Sequence, residues 1–257
     1  MANSDGKFMR GLINNLLYRE YRGKQIIQSK PQMRKNHRTA GTIKAAKVFG
    51  KASKLACKIR VGLSWTTGKF YDGTMIFRLN TEILHCLNSI KDAETQSFNC
   101  RTDSFLSLTG FEFNLGSPLK KQLLIHPRIT LNGTTLRVEI PELKIPTELK
   151  FPEDRLNYCR LLMETTMIDL VHGHPKHLSP QIMDISYSYK PVLAPGQTFE
   201  FELAPGCLCI TAISLQYVNS TFAGDVIVNN KSFNPAAIVH ATVTGGSTEE
   251  QVSFDLD

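Results

Sequence analysis

Residues 123–140, LLIHPRITLNGTTLRVEI, decide the fold class. Apolar and polar residues alternate on either side of Asn132-Gly133. A period of two puts alternate side chains on one face of a strand, and Asn-Gly is a strong signal for a tight hairpin loop. The stretch predicts two antiparallel strands. The same pattern continues in both directions after Asn99. Phe105, Ser107, Thr109, Phe111 and Phe113 would share one strand face, as would Met183, Ile185, Tyr187 and Tyr189, and again Phe199, Phe201 and Leu203. Further strands are expected at 157–170, 208–218, 236–244 and 251–256, separated by turns at Pro195-Gly196, Pro205-Gly206, Asn229-Asn230 and Gly245-Gly246. Many short strands punctuated by Gly and Pro read as an antiparallel β-sandwich over residues 99–257. No strict internal repeat is visible.

Residues 1–98 read differently. NLLYREY (15–21) and KQIIQSK (24–30) are two extended runs broken at Arg22-Gly23, a two-stranded hairpin too small to be stable alone. The polar, basic linker PQMRKNHRTA (31–40) follows. A first helix is expected from Thr42, as N-cap, to near Val61. At about 100° per residue, Lys44, Lys47, Lys51, Lys54 and Lys58 fall in one narrow arc. Ala45, Phe49, Ala52, Ala56, Ile59 and Leu63 fall in another, so the helix is amphipathic with a cationic outer stripe. Ser64 to Lys69 breaks the pattern. A second helix over 71–93 carries Met75, Ile76, Leu79, Ile83, Leu87 and Ile90 at spacings of three and four, and should pack on the first. The overall class is α+β, mainly β, with a basic N-terminal hairpin and helical region at 1–98 and the sandwich at 99–257.

Composition narrows the function classes. The chain has 257 residues, 42% hydrophobic and 21% charged, enough for a full core as one large or two small domains. No run approaches the roughly 18 apolar residues of a membrane-spanning helix, and MANSDGKFMRG lacks the apolar centre of a signal peptide, which predicts cytoplasmic synthesis. The six cysteines are therefore expected to be reduced and buried. Charge is unevenly divided. Residues 1–60 hold fifteen Lys and Arg against Asp5 and Glu20, a net +13, while the rest of the chain holds fifteen basic against twenty-one acidic residues, a net −6. Such a bipolar chain suits a polyanion, or the acidic part of another copy.

Several short motifs carry a resemblance. Gly11, the apolar run through Leu17, Gly23-Lys24, Ser29-Lys30-Pro31 and FGKASKLACKIR (49–60), with GFEFN (110–114), IPEL (140–143) and FNP (233–235), resemble a family of Bacteroidota proteins. Those proteins open with a glycine-spaced hairpin that ends in an Arg/Ser-x-Pro segment. The chain departs from them at Asn14 and Asn15, where small residues often stand. No activity is assigned to that family, so the resemblance implies a lineage and no mechanism.

Searches for chemistry return little. GLSWTTGK (62–69) approaches a phosphate-binding loop but has five residues between its glycines rather than four, and Phe70 where Ser or Thr would meet magnesium. No G-x-S-x-G elbow is present, and no Cys stands with an evident His partner. His172, His174 and His177 are a local cluster of imidazoles with no carboxylate or thiolate immediately beside them in sequence, and are expected not to hold a metal. Cys207 and Cys209 share a strand face, which suits packing better than redox chemistry. Glu164 and Asp169 fall in or near an expected strand, and Glu249 and Glu250 near the C-terminal end. Asn132-Gly-Thr and Asn219-Ser-Thr match glycosylation acceptors, without an export signal to give them meaning.

The expectation is a non-enzymatic structural or interaction protein, without cofactor or metal, that self-assembles or joins a larger particle through its hairpin and basic helix. The alternative is sequence-nonspecific nucleic-acid binding. Both use the same surface: Lys44, Lys47, Lys51, Lys54 and Lys58, extended by Arg34, Lys35 and Arg38. Lysine outnumbers arginine on the helix, so bidentate base reading is not signalled.

Overall fold

The computed structural model describes residues 3–30, 39–92, 94–95, 97–152, 156–245 and 252–253, the last two by their backbone. Among the described residues strand outweighs helix, 43% against 22%, and the sheets are antiparallel, so the fold is mainly β as its sequence predicts. It separates into two compact units, Met1–Lys44 and Ala45–Asp257.

The first unit contains a meander of four strands in spatial sequence: β1 (Asn3–Ser4), β2 (Met9–Ile13), β3 (Leu16–Tyr21) and β4 (Lys24–Ser29). The sequence suggested two strands here; these are β3 and β4, and two more precede them. Arg22 and Gly23 form the loop between Tyr21 and Lys24 with φ of 53° and 69°, the doubly positive geometry that matches the right-handed twist of paired strands. The Gln25 carboxamide accepts from the Met9 N–H at 2.7 Å and donates to the Met9 carbonyl at 2.9 Å, which pins the start of β2. Arg10 pairs with Glu20 and Asp5.

The second unit holds the rest. Its helical part is α1 (Ala40–Gly62, beginning in the last residues of the first unit), α2 (Ser64–Thr67) and α3 (Met75–Ile90). Then come β5 (Asn99–Cys100), a 3₁₀ turn at Leu106–Leu108, α4 (Leu119–Gln122), β6 (Arg128–Asn132), β7 (Thr135–Ile140), β8 (Leu143–Ile145) and β9 (Tyr158–Asp169). The chain continues through β10 (Pro175–His177), β11 (Gln181–Ser186), β12 (Val192–Ala194), β13 (Gln197–Glu202), β14 (Cys207–Thr221), β15 (Gly224–Ile227), β16 (Ala236–Val243) and β17 (Val252–Ser253).

The centre is a six-stranded sheet in which β9 and β14 pair from Cys207↔Asp169 to Val218↔Tyr158. β10 and β11 flank β9, and β15 and β16 flank β14. Alternate residues of β14 enter two separate cores. Leu208, Ile210 and Ala212 join Leu55, Ile59, Leu79 and Ile83 of the helices. Cys209, Ile213 and Leu215 join Val138, Phe199 and Phe201 of a smaller sheet ordered β13-β7-β6. Period two puts those alternate residues on opposite faces, so the central sheet is covered on both. This is why Leu161 to Ile168 of β9 are buried without a break, whereas β7, β11 and β13, with one face in water, alternate.

Two close contacts fix the helices on the sheet. Glu164, buried on β9, accepts from the Thr66 N–H and hydroxyl, each at 2.8 Å, and so caps α2. Gly62 ends α1 against Thr166, where an added Cβ would fall 2.2 Å from Oγ1. Each of the motifs GFEFN and FNP bonds to a neighbour of the other: Asn114 donates to the Lys231 carbonyl at 3.0 Å, and the Asn234 N–H to Ser117 Oγ at 2.8 Å. Asn234 in turn donates to the Thr67 carbonyl at 3.0 Å, tying FNP to α2.

Several boundaries differ from the sequence reading. The expected strand with Phe105, Ser107, Thr109, Phe111 and Phe113 on one face is not a strand but an irregular segment with a 3₁₀ turn and Gly110 at φ 87°. Its aromatics are core anchors reached by turns, and only 110–113 bond to the edge of β16. Leu123 to Pro127 precede β6 rather than belonging to it. The loop after β6 is Gly133-Thr134, with Asn132 paired to Thr135. β11 ends at Ser186, leaving Tyr187 and Tyr189 outside it. Thr39, not Thr42, supplies the cap of α1, its Oγ1 accepting from the Thr42 N–H at 3.2 Å. Phe49 is half exposed; the buried face is Val48, Ala52, Leu55, Ala56 and Ile59. Beyond β17, residues 254–257 lie outside the described residues.

Gly62→Ala should cost about 1–3 kcal/mol in urea unfolding, since a methyl cannot enter the space that Thr166 fills. Burial pushes the Glu164 carboxyl up, against the hydrogen bonds from Thr66 and Trp65 that pull it down. The folded chain then holds that proton more tightly than the unfolded chain, so this group's contribution falls as pH rises. Glu164→Gln should gain on the parent between about pH 4 and about pH 7, while Glu164→Ala should lose about 1–3 kcal/mol at both by leaving the Thr66 N–H unpaired.

Candidate functional site

Two surfaces stand out, one on α1 and one on the meander, and each is described by itself. The 23 residues of α1 include no Asp or Glu. Its stripe from Lys44 to Lys58 runs about 21 Å at 1.5 Å per residue. Lys44, Lys47 and Lys54 are exposed, and Lys51 and Lys58 half-buried. Among the described residues no carboxylate pairs with Lys44, Lys47, Lys54 or Lys58, and the Lys51 ammonium lies 5.6 Å from the centre of the Phe98 ring. Lys44, Lys47 and Lys54 are thus solvated cations held in line by a helix whose other side is anchored in the core. Arg34, Lys35 and Arg38 lie outside the described residues.

The meander has an unusual property for four paired strands. None of its described residues is buried. Leu16, Tyr18 and Ile27 share one face of the β3–β4 pair, and Leu17, Tyr21 and Ile26 the other. Ile27 is 54% exposed, Tyr21 49% and Leu16 41%. Apolar side chains stand on both faces without a core to enter.

The remaining candidates are placed by the structure as follows. In GLSWTTGK the two glycines end α1 and α2, with Thr66 and Thr67 buried between them, so the segment is a helix–turn with no phosphate cradle. His172 Nδ1 lies 2.7 Å from Asp169 Oδ2, and the His172 and His174 rings are 6.4 Å apart. Sequence spacing missed Asp169 as that partner because a turn returns the chain to it. Among the described residues no three His, Cys, Asp or Glu converge as metal ligands. Cys207 and Cys209 are buried free thiols, both pushed up by burial, Cys209 to about 12, which disfavours a reactive thiolate. Cys86, Cys100 and Cys159 are buried as well, and Cys57 is exposed on α1. Glu249 and Glu250 lie outside the described residues. No described helix is long and apolar enough to cross a membrane.

No protein-family model, no curated protein and no solved structure matches the chain, so its function is argued from this geometry.

Replacing Lys47, Lys51 and Lys54 with Gln should cost no more than about 1 kcal/mol, because Lys47 and Lys54 are exposed, only Lys51 gives up a ring contact, and Gln keeps helix propensity. A larger loss, read by circular dichroism, would make the stripe part of the fold rather than a surface.

Proposed function

We propose that the chain is a non-enzymatic structural or interaction protein that assembles with copies of itself, or within a larger particle, through its N-terminal strands and basic helix. The second unit, read as an antiparallel sandwich with a helical cover, is the body that carries them. One observation supports this above the others: a four-stranded meander with apolar residues on both faces and none of its described residues buried. A small sheet needs a packed face to be stable, and an uncovered apolar one favours association. A neighbouring subunit would supply what the sequence of the meander lacks. Its β4 edge can add to a partner's sheet, and the cationic stripe can steer it to an acidic surface.

Sedimentation velocity at low salt should show a species heavier than the 28.8 kDa monomer. Ile27→Glu, on the exposed meander, should weaken that association about tenfold or more without lowering the stability of the second unit. A parent that stays monomeric at high concentration overturns the proposal.

The second reading is sequence-tolerant nucleic-acid binding, favoured by four lysines without carboxylate partners among the described residues. Five phosphate contacts give a salt slope of about −4 to −5, and the triple Lys47, Lys51, Lys54→Gln variant should flatten it by about 2 to 3 units for two unrelated oligonucleotides alike. Absence of parent binding at about 50 mM salt removes this reading. Nuclease treatment separates the two: self-assembly survives it, and nucleic-acid-held particles do not.

A further inference from the structure

Away from the basic surface, the second unit contains a cleft of about 510 Å³ between the edge of the central sheet and the segment that leads into β6. Small residues form part of its lining. Ala237 forms part of its floor beside Ile213, and Gly110 crosses the edge of β16. Leu123 and Ile129 supply apolar wall. β16 is locally irregular here: its register against β14 shifts between Thr211 and Ala212, and Val239, the residue left over, lines the cleft. Bulges of this kind re-aim side chains and recur beside binding sites.

One acidic group is built into this apolar space. Glu112, 8% exposed, pairs across to Ala237 and lines the cleft. Its Oε2 accepts from the Leu119 N–H at 2.8 Å, whereas the nearest N–H to Oε1, that of Lys120, is 3.5 Å away. A carboxylate oxygen has room for two acceptor contacts, so Oε1 retains capacity for a donor. The Arg78 guanidinium is turned to Asp72 and to the Glu112 carbonyl instead. Lys120 and His126 stand at the exposed rim.

We infer that this cleft binds a small molecule with an aliphatic body and a single ammonium head, the head seated on Glu112 Oε1 and the body along Ile213, Ala237 and Val239. The volume is within the roughly 300–1,000 Å³ range of small-ligand sites, which combine apolar walls with few polar groups. The sign of the head follows from burial. A charge at the buried floor acts through low-polarity surroundings, whereas the rim ammonium of Lys120 is screened by water and salt. Burial also pushes the Glu112 carboxyl up, and a bound cation would pull it back down.

The test is a methyl-detected NMR titration of the full chain with three probes of equal length: n-octylammonium, 1-octanol and octanoate. Octylammonium should shift the Ile213, Ala237 and Val239 methyls and bind about tenfold tighter than octanol, with octanoate weakest. Glu112→Gln, whose amide oxygen still accepts the Leu119 N–H, should reduce that preference to about twofold or less. Ala237→Leu fills the floor and should abolish binding of all three probes. Equal binding of octanol and octylammonium by the parent, tightest binding of octanoate, or no binding of any probe overturns the inference. The parent comparison stands whether or not either variant folds.

Discussion

The second unit depends on the pairing of β9 with β14. These strands run antiparallel over a long common register and are covered on both faces, by helices on one and by the β13-β7-β6 sheet on the other. Antiparallel sheets usually keep one face in water, and covering both demands that nearly every residue of the central strands avoid unpaired charge. Leu161 to Ile168 meet this demand with apolar groups, two threonines and Glu164. Thr165 bonds to Thr211 across the ladder at 2.9 Å, and Glu164 is answered by α2. The polar residues of the buried ribbon thus help determine where the helical layer sits.

The same device recurs at Glu112, whose carboxylate receives the Leu119 N–H at the start of α4. Both helices are only four residues long and lack a side-chain cap at the residue that precedes them. In each case a glutamate from a strand or strand-like segment supplies the acceptor. Short helices of this kind are held in place by the sheet, and removing the carboxylate would release both partners at once.

How much of this was legible in the sequence depends on how many faces of an element meet water. α3 and the one-sided strands β7 and β13 were readable, because one wet face leaves a period in the residues. The strands expected at 157–170 and 208–218 correspond to β9 and β14, although strands buried on both faces do not alternate. The segment 105–113 misled because Phe105, Phe111 and Phe113 happen to repeat at two while entering the core through turns. The lysine stripe was fully visible, being a property of spacing alone. The meander's lack of buried residues was not, because Leu16, Tyr18 and Ile27 look like core residues, yet none of them is buried in the folded chain. Glu112 was hidden as well: an isolated glutamate in GFEFN gives no sign that a fold places it on the floor of an apolar cleft.

The cysteines have a practical consequence. Five of the six are buried, and those thiols are all held in their unreactive protonated form by loss of solvent. Cys57 alone is exposed, on α1 between Lys54 and Lys58. The native fold therefore sorts its own thiols by accessibility, and a maleimide dye would enter at one position without any engineered change. That position reports on the basic surface itself. Quenching, polarisation or energy transfer from Cys57 would follow whatever approaches the lysine stripe, and spread of the label to other cysteines would register opening of the core.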